Sequence, residues 1–320
     1  MKFVLSKLLC GRREHSGLCD RLTSSKMPQK KRAIIFTVVM CFNLCGVAAQ
    51  DTATFAIKDD RQLKMTIYQA DNQNRQPETI IYMFGGGFYT GSRNGERAVE
   101  YCKKMQERGF TTVSIDYRLG IVSDDTTKAK VNASISEFEN AMRIAVEDLS
   151  SAVVFLINNG QKWGIDKDKI IITGCSAGAV TALNADYCHA NGSKWTEELP
   201  EDFRFYGVMA YAGAIFSRNG KVKWSKHSPA PTMLYHGTKD KTVIYGSIQF
   251  GLLGFFGTNS LAKRFKKYDY PVKIRRFIGA EHEVSSFGNI YVEDAIFFIE
   301  NWLRKGKQWI SDENFSITKQ

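Results

Sequence analysis

Ile170-Ile171-Ile172-Thr173-Gly174-Cys175-Ser176-Ala177-Gly178-Ala179 is the stretch whose reading decides the fold. Three consecutive β-branched apolar residues read as a strand buried on both faces. The Gly-x-Ser-x-Gly pattern follows, and the helical pattern of Val180–Ala190 begins at once after it. A serine held on such a strand-to-helix turn stands clear of the sheet, and the small residues beside it let strand and helix approach closely. The bare pattern arises by chance in roughly 0.1–0.2 of chains with this much glycine, so the strand before it and the helix after it carry the argument.

Working outward, short runs rich in β-branched and aromatic residues recur at Phe55–Lys58, Lys64–Gln69, Thr79–Phe84, Thr111–Ile115, Lys169–Thr173, Tyr206–Ala212, Thr232–Tyr235 and Val272–Phe277. Between them Arg97–Arg108, Glu137–Asn158, Val180–Ala190, Ser260–Tyr268 and Val292–Arg304 carry apolar positions at helical spacing. Two opening strands followed by strand–helix alternation predict one α/β domain over residues 51–320. Its expected core is a mostly parallel eight-stranded sheet with helices on both faces. About twenty residues separate Ala212 from Thr232, too few for a large cap, so little or no cap domain is expected.

Composition agrees with a globular chain: of 320 residues, 43% are hydrophobic and 24% charged, with only 6 Pro. The net charge of +11 invites a nucleic-acid reading until its location is considered. Residues 1–50 hold nine Lys/Arg against Glu14 and Asp20, which leaves 35 basic against 31 acidic residues in the rest. So balanced a body gives no reason to expect a phosphate-binding surface, and nucleic acid is set aside as a partner.

The basic leader has its own explanation. From Met27 the chain reads Lys30-Lys31-Arg32, an apolar run from Ala33 to Leu44, and small residues up to Ala48-Ala49-Gln50. A basic region, a short apolar core and a small-residue cut site predict a signal peptide over residues 27–50 and export to the periplasm or the extracellular space. The run is shorter than the roughly 20 residues of a membrane span and carries Thr37 and Asn43. An uncleaved anchor is the alternative; after cleavage no stable membrane association is expected. Residues 1–26 are polar, basic and aperiodic, and are read as an extension upstream of a true start at Met27. Four of the seven cysteines lie in the leader; Cys102, Cys175 and Cys188 remain, too sparse for a disulfide scaffold and without zinc spacing. No metal or cofactor is expected.

A serine hydroxyl is a weak nucleophile and needs a base that is itself oriented by an acid. The order Ser, acid, His, each after a strand, is the test. Thr232–Tyr235 runs into His236-Gly237-Thr238-Lys239-Asp240, and Lys273–Phe277 into Ile278-Gly279-Ala280-Glu281-His282. Asp240 is therefore the candidate acid and His282 the candidate base. Of five histidines, His15 is in the leader, His189 ends a helical pattern and His227 sits in a polar stretch; His236 is the rival, though it precedes the acid. Charge developing on an attacked carbonyl needs waiting N–H donors. Gly85-Gly86-Gly87, directly after the strand Thr79–Phe84, supplies unshielded amides for that purpose.

Together these residues resemble the α/β-hydrolase superfamily, and within it the carboxylesterases with a glycine-rich oxyanion loop. Gly85-Gly86-Gly87-Phe88, Asp116-Tyr117-Arg118-Leu119, the approach Trp163–Ile170 and the elbow around Ser176 fall in the family's order. The resemblance implies a nucleophile at Ser176, an acid at Asp240, a base at His282 and oxyanion donors at Gly86, Gly87 and Ala177. Many relatives carry His immediately before the glycines, where this chain has Phe84. Asp116 and Arg118 are expected to pair beneath the oxyanion loop, and Asp166 and Asp168 to sit in a turn. Phe250–Phe256 is apolar without periodicity and reads equally as a pocket wall or as packing. The leading expectation is a secreted serine carboxylesterase acting on a small-molecule or polysaccharide-linked ester, acetyl or feruloyl esters included. A serine peptidase of the same superfamily and a catalytically silent binding module are the alternatives.

Overall fold

The computed structural model describes residues 50–122 and 133–316, all within the compact unit Gly46–Gln320. The signal-peptide and start-site expectations fall on residues 1–49, outside the described residues.

The chain opens with β1 (Gln50–Lys58) and β2 (Arg61–Tyr68), an antiparallel hairpin. Its two-residue turn has Asp59 and Asp60 at φ 50 and 57, the left-handed pair that matches the twist of hairpin strands. There follow β3 (Thr79–Met83), α1 (Glu96–Glu107), β4 (Thr111–Ile115), α2 (Ile135–Asn159), β5 (Ile170–Cys175), α3 (Ala177–His189), β6 (Gly207–Tyr211), β7 (Ala214–Ser217) and β8 (Thr232–Gly237). The chain ends with β9 (Ser247–Phe250), β10 (Leu253–Gly257), α4 (Thr258–Lys267), β11 (Val272–Ile278), α5 (Val292–Phe298) and β12 (Ile310–Ser316). Residues Ile299–Arg304 extend α5 as a π-turn. The start of α2 is fixed by a capping box, in which Ser134 Oγ accepts from Glu137 N and the Glu137 carboxylate accepts from Ser134 N.

The main sheet runs β1-β2-β4-β3-β5-β6-β8-β11-β12. It is parallel apart from the pairings of β2 with β1 and β4. It has nine strands where eight were expected: β12 adds a parallel edge beside β11. A second sheet runs β7-β10-β9: β7 lies in the short segment between Ala212 and Thr232, whereas β9 and β10 follow β8. β3, β4, β6 and β8 are buried along their whole length, which is why β3 and β6 read as nearly continuous apolar runs, while β4 buries Thr111, Thr112 and Ser114 among its apolar residues.

The connections place the functional loops. The crossover from β3 to β4 moves one way along the sheet; those from β4 to β5 and from β5 to β6 move the other way. Right-handed crossovers therefore put α1 on one face and α2 with α3 on the other. The reversal falls between neighbours β3 and β5, and a crevice opens beyond their carboxyl ends.

Candidate active site

Gly85-Gly86-Gly87 leaves β3 into that crevice and Ser176 leaves β5 beside it. Ser176 sits at φ 51, ψ −120, an uncommon conformation for a residue with a Cβ. The flanking glycines explain how the turn is tolerated. A methyl on Gly178 would lie 2.1 Å from Met83 O, and one on Gly174 would lie 2.5 Å from the Gly178 backbone. The elbow thus packs backbone against backbone, and Ser176 N is tied to Tyr211 O at 2.9 Å.

The structure brings Ser176, His282 and Asp240 together from three loops. His282 Nε2 lies 2.8 Å from Ser176 Oγ, and His282 Nδ1 lies 2.7 Å from Asp240 Oδ2. Asp240 is buried, and its Oδ1 accepts from Thr242 N at 2.9 Å and Val243 N at 3.0 Å. Burial alone would raise this carboxyl, but the N–H groups of His236 and His282 beside it outweigh that and hold it well below the usual carboxylate range. With Asp240 ionised, Nδ1 is the protonated nitrogen of neutral His282, which leaves the Nε2 lone pair facing the serine.

Gly86 and Gly87 adopt φ 130 and 62, and among the described residues neither amide N–H has a hydrogen-bond partner. A methyl on Gly86 would strike Thr90 O at 2.1 Å. The loop is held from within by Tyr89 N and Thr90 N, which both donate to Gly86 O. Ala177 is the first residue of α3, where an amide has no partner inside the helix. Phe84 stacks on Tyr117 with ring centroids 4.3 Å apart, and Tyr117 Oη donates to Phe84 O at 2.9 Å. Packing and that bond shape the loop base where relatives have His.

Ser176, His282 and the three glycines open onto a cavity of about 730 Å³, walled by Tyr89, Ile121 and Phe138 among others. None of Phe250–Phe256 lines it. Phe250 and Leu252 are exposed at the β9–β10 turn, Phe256 is buried, and Phe255 packs edge-on against Phe138. The packing reading holds for Phe255 and Phe256, with Phe255 against the wall residue Phe138, but not for the exposed Phe250 and Leu252.

One expectation is corrected. Asp116 and Arg118 each have another partner: Arg93 Nη1 donates to Asp116 Oδ2 at 2.6 Å, and Arg118 forms a forked pair with the buried Asp148 on α2. Asp148 has no exposed side-chain surface, so it needs a charged partner close by and takes the arginine. Asp166 does sit in a turn: its Oδ1 accepts from Asp168 N and opens the 3-10 turn Lys167–Lys169. Cys102, Cys175 and Cys188 are all free thiols.

Sequence reasoning missed the second histidine at the acid. His236, within β8, is fully buried; its Nε2 lies 3.0 Å from Val243 O and 3.2 Å from Asp240 Oδ2. Its spacing of four residues from Asp240 was visible, but its order in the chain only excluded it as the base.

Residues 65–206 match the family model described as BD-FAE, a span that holds the glycine loop and the elbow but ends before Asp240 and His282. Esterase LipC of Mycobacterium tuberculosis (strain ATCC 25618 / H37Rv) is 21% identical over 193 residues, which is 59% of this chain and 41% of that protein. The chain thus spans well under half the length of that curated relative. Among solved structures, the native esterase Est2 of the Planctomycetes species Thermogutta terrifontis superposes with a TM-score of 0.56 and 20% identity, over 80% of this chain and 95% of that one. Its propionate-bound form gives 0.57, with 20% identity over 79% and 95%. The same esterase phosphorylated by paraoxon gives 0.54, with 17% identity over 80% and 95%.

The chain has the α/β-hydrolase fold of these esterase structures. In this fold the loops after β3, β5, β8 and β11, with the first residue of α3, supply every candidate site residue.

Proposed function

We propose that the protein is an exported serine carboxylesterase that cleaves carboxylic esters through an acyl-enzyme. Acetyl or feruloyl esters on polysaccharide are its proposed substrates. The observation that carries this reading is the Ser176–His282–Asp240 chain of contacts, 2.8 and 2.7 Å long, at the floor of a cavity rimmed by glycine amides that have no hydrogen-bond partner among the described residues.

Ser176 Oγ attacks the ester carbonyl carbon while His282 Nε2 takes its proton. The oxygen that becomes negative sits against the N–H groups of Gly86, Gly87 and Ala177, which are already in place before charge develops. Asp240 holds the imidazole in the tautomer that accepts this proton and stabilises the imidazolium. As the C–O bond breaks, His282 returns the proton to the leaving alcohol. Water then attacks the acyl-enzyme with the same proton traffic, releasing the acid and restoring Ser176. Neither step needs a metal or a redox cofactor.

The Thermogutta esterase binds propionate in one structure and butyrate in another, which favours short acyl groups here. The cavity wall of Tyr89 and Phe138 would also suit an aryl acid. Export rests on the sequence of residues 27–50.

Hydrolysis of p-nitrophenyl acetate, butyrate and octanoate, with methyl ferulate and acetylated xylan alongside, tests the reading. We expect Ser176→Ala to lose turnover by several orders of magnitude on every ester that the protein cleaves. Activity that survives in Ser176→Ala would remove Ser176 as the nucleophile. An absence of turnover on all five would favour a peptidase or a silent binding module.

A further inference from the structure

His236 lies within β8, four residues before Asp240, with no solvent exposure. Its Nε2 stands 3.0 Å from Val243 O and 3.2 Å from Asp240 Oδ2; its Nδ1 stands 2.9 Å from Thr258 Oγ1, on the first residue of α4. The partners decide the tautomer. A backbone carbonyl and an ionised carboxylate can only accept, so Nε2 carries the hydrogen, and Nδ1 accepts from the Thr258 hydroxyl. The ring is satisfied at both nitrogens while neutral.

This placement does more than fill the core. Val243 O, to which His236 donates, belongs to the same residue whose N–H holds Asp240 Oδ1. The Nε2–H also stands beside Oδ2, the oxygen that orients His282. One ring thereby fixes the turn that grips one carboxylate oxygen and supplies a donor near the other.

We propose that His236 is a positioning residue for Asp240, setting the direction and the charge of the oxygen presented to His282. The inference rests on the proposed triad. Around the trio, Tyr245 packs edge-on to His236 and its hydroxyl accepts from Arg276, itself paired with Asp312. Glu281 and Glu283 flank His282, and Lys239 and Lys241 flank Asp240 with exposed side chains. Loss of the His236 donor leaves Oδ2 facing His282 alone, which makes His282 more basic and its orientation looser.

The test compares His236→Asn with His236→Gln in the full chain. The Asn amide can reach Thr258 but falls short of Val243 O and Asp240; the Gln amide extends as far as Nε2. We expect His236→Asn to lower kcat about tenfold with KM nearly unchanged, and to raise the acid limb of the kcat/KM profile by about half a pH unit. His236→Gln should return both to within about threefold and a few tenths of a unit of wild type. The His282 titration, followed by NMR in protein labelled with ¹⁵N-histidine, should move the same way and needs no turnover. A His236→Asn limb that is unmoved or lowered, a defect that Gln fails to relieve, or two variants that both fail to fold would overturn the inference. Wild-type protein that hydrolyses no ester and resists a fluorophosphonate probe, yet shows the NMR shift, would instead overturn the proposed function and leave this one standing.

Discussion

Replacing Asp240 with Asn isolates what the acid contributes. Asp240 Oδ1 faces two backbone donors at 2.9 and 3.0 Å, and Oδ2 faces His282 Nδ1 at 2.7 Å with His236 Nε2 at 3.2 Å. The Asn oxygen must stay with the two amides, which have no other choice of partner. Its NH₂ is then forced toward His282, where a donor already points. The imidazole escapes this donor–donor contact by taking the other tautomer, so that Nδ1 accepts and Nε2 carries the hydrogen. In that tautomer the nitrogen 2.8 Å from Ser176 Oγ has no lone pair for the serine proton. The expected loss in kcat is about 10⁴-fold, or roughly 5.4 kcal/mol of transition-state stabilisation at 1.36 kcal/mol per decade. Steady-state hydrolysis of the best p-nitrophenyl ester gives the ratio, and a thermal melt confirms that the variant is folded. A folded Asp240→Asn protein within tenfold of wild type would refute the tautomer argument, whatever the residual rate.

Gly86→Ala should cut kcat by about 10²- to 10³-fold, because the added methyl strikes Thr90 O at 2.1 Å and φ 130 disfavours any Cβ, so the loop must move its donors. A normal kcat with a lowered melting temperature would detach this glycine from the chemistry. Asp186 lies buried on α3, where burial lifts its carboxyl from the ordinary 3.8 to about 7, only partly offset by the Ala230 N–H that it accepts. For an acid raised in the folded state, stability is full below the unfolded pKa and is lost as pH climbs through the folded one. Asp186→Asn keeps an acceptor for Ala230 and should be near neutral at about pH 4 but stabilising by about 2–4 kcal/mol at about pH 8, read from denaturant melts at both pH values. An equal effect at the two pH values would refute the shift.

Much of the fold was legible because its strands are buried on both faces and write themselves as apolar runs between helical patterns. What escaped were elements without that signature. β12, Ile310-Ser311-Asp312-Glu313-Asn314-Phe315-Ser316, is a mostly polar edge with only partial burial at Ile310, Ser311 and Asp312. It is held beside β11 in part by the pairing of Arg276 with Asp312. The β7-β10-β9 sheet hid behind Gly251 and Gly254, which break any period in Phe250–Phe256. The expected Asp116–Arg118 pair failed for a different reason. Local spacing shows which charges are near in sequence, whereas Arg118 is claimed by Asp148, thirty residues away and buried on α2.

The candidate site was easier to read than the ion pairs because its position follows from topology. Beyond the carboxyl ends of β3 and β5 the connections part to opposite faces, and no crossover covers the gap. A strand-end rule therefore finds the glycine loop, Ser176, Asp240 and His282, all of which lie at or just beyond strand ends. The same rule passes over His236, which lies inside β8 and reaches the site sideways through Val243 and Asp240. Groups that touch the reacting atoms must stand in the crevice, and the chain order of the strands betrays them. Groups that hold those residues in place can come from inside a strand, and only their contacts reveal them.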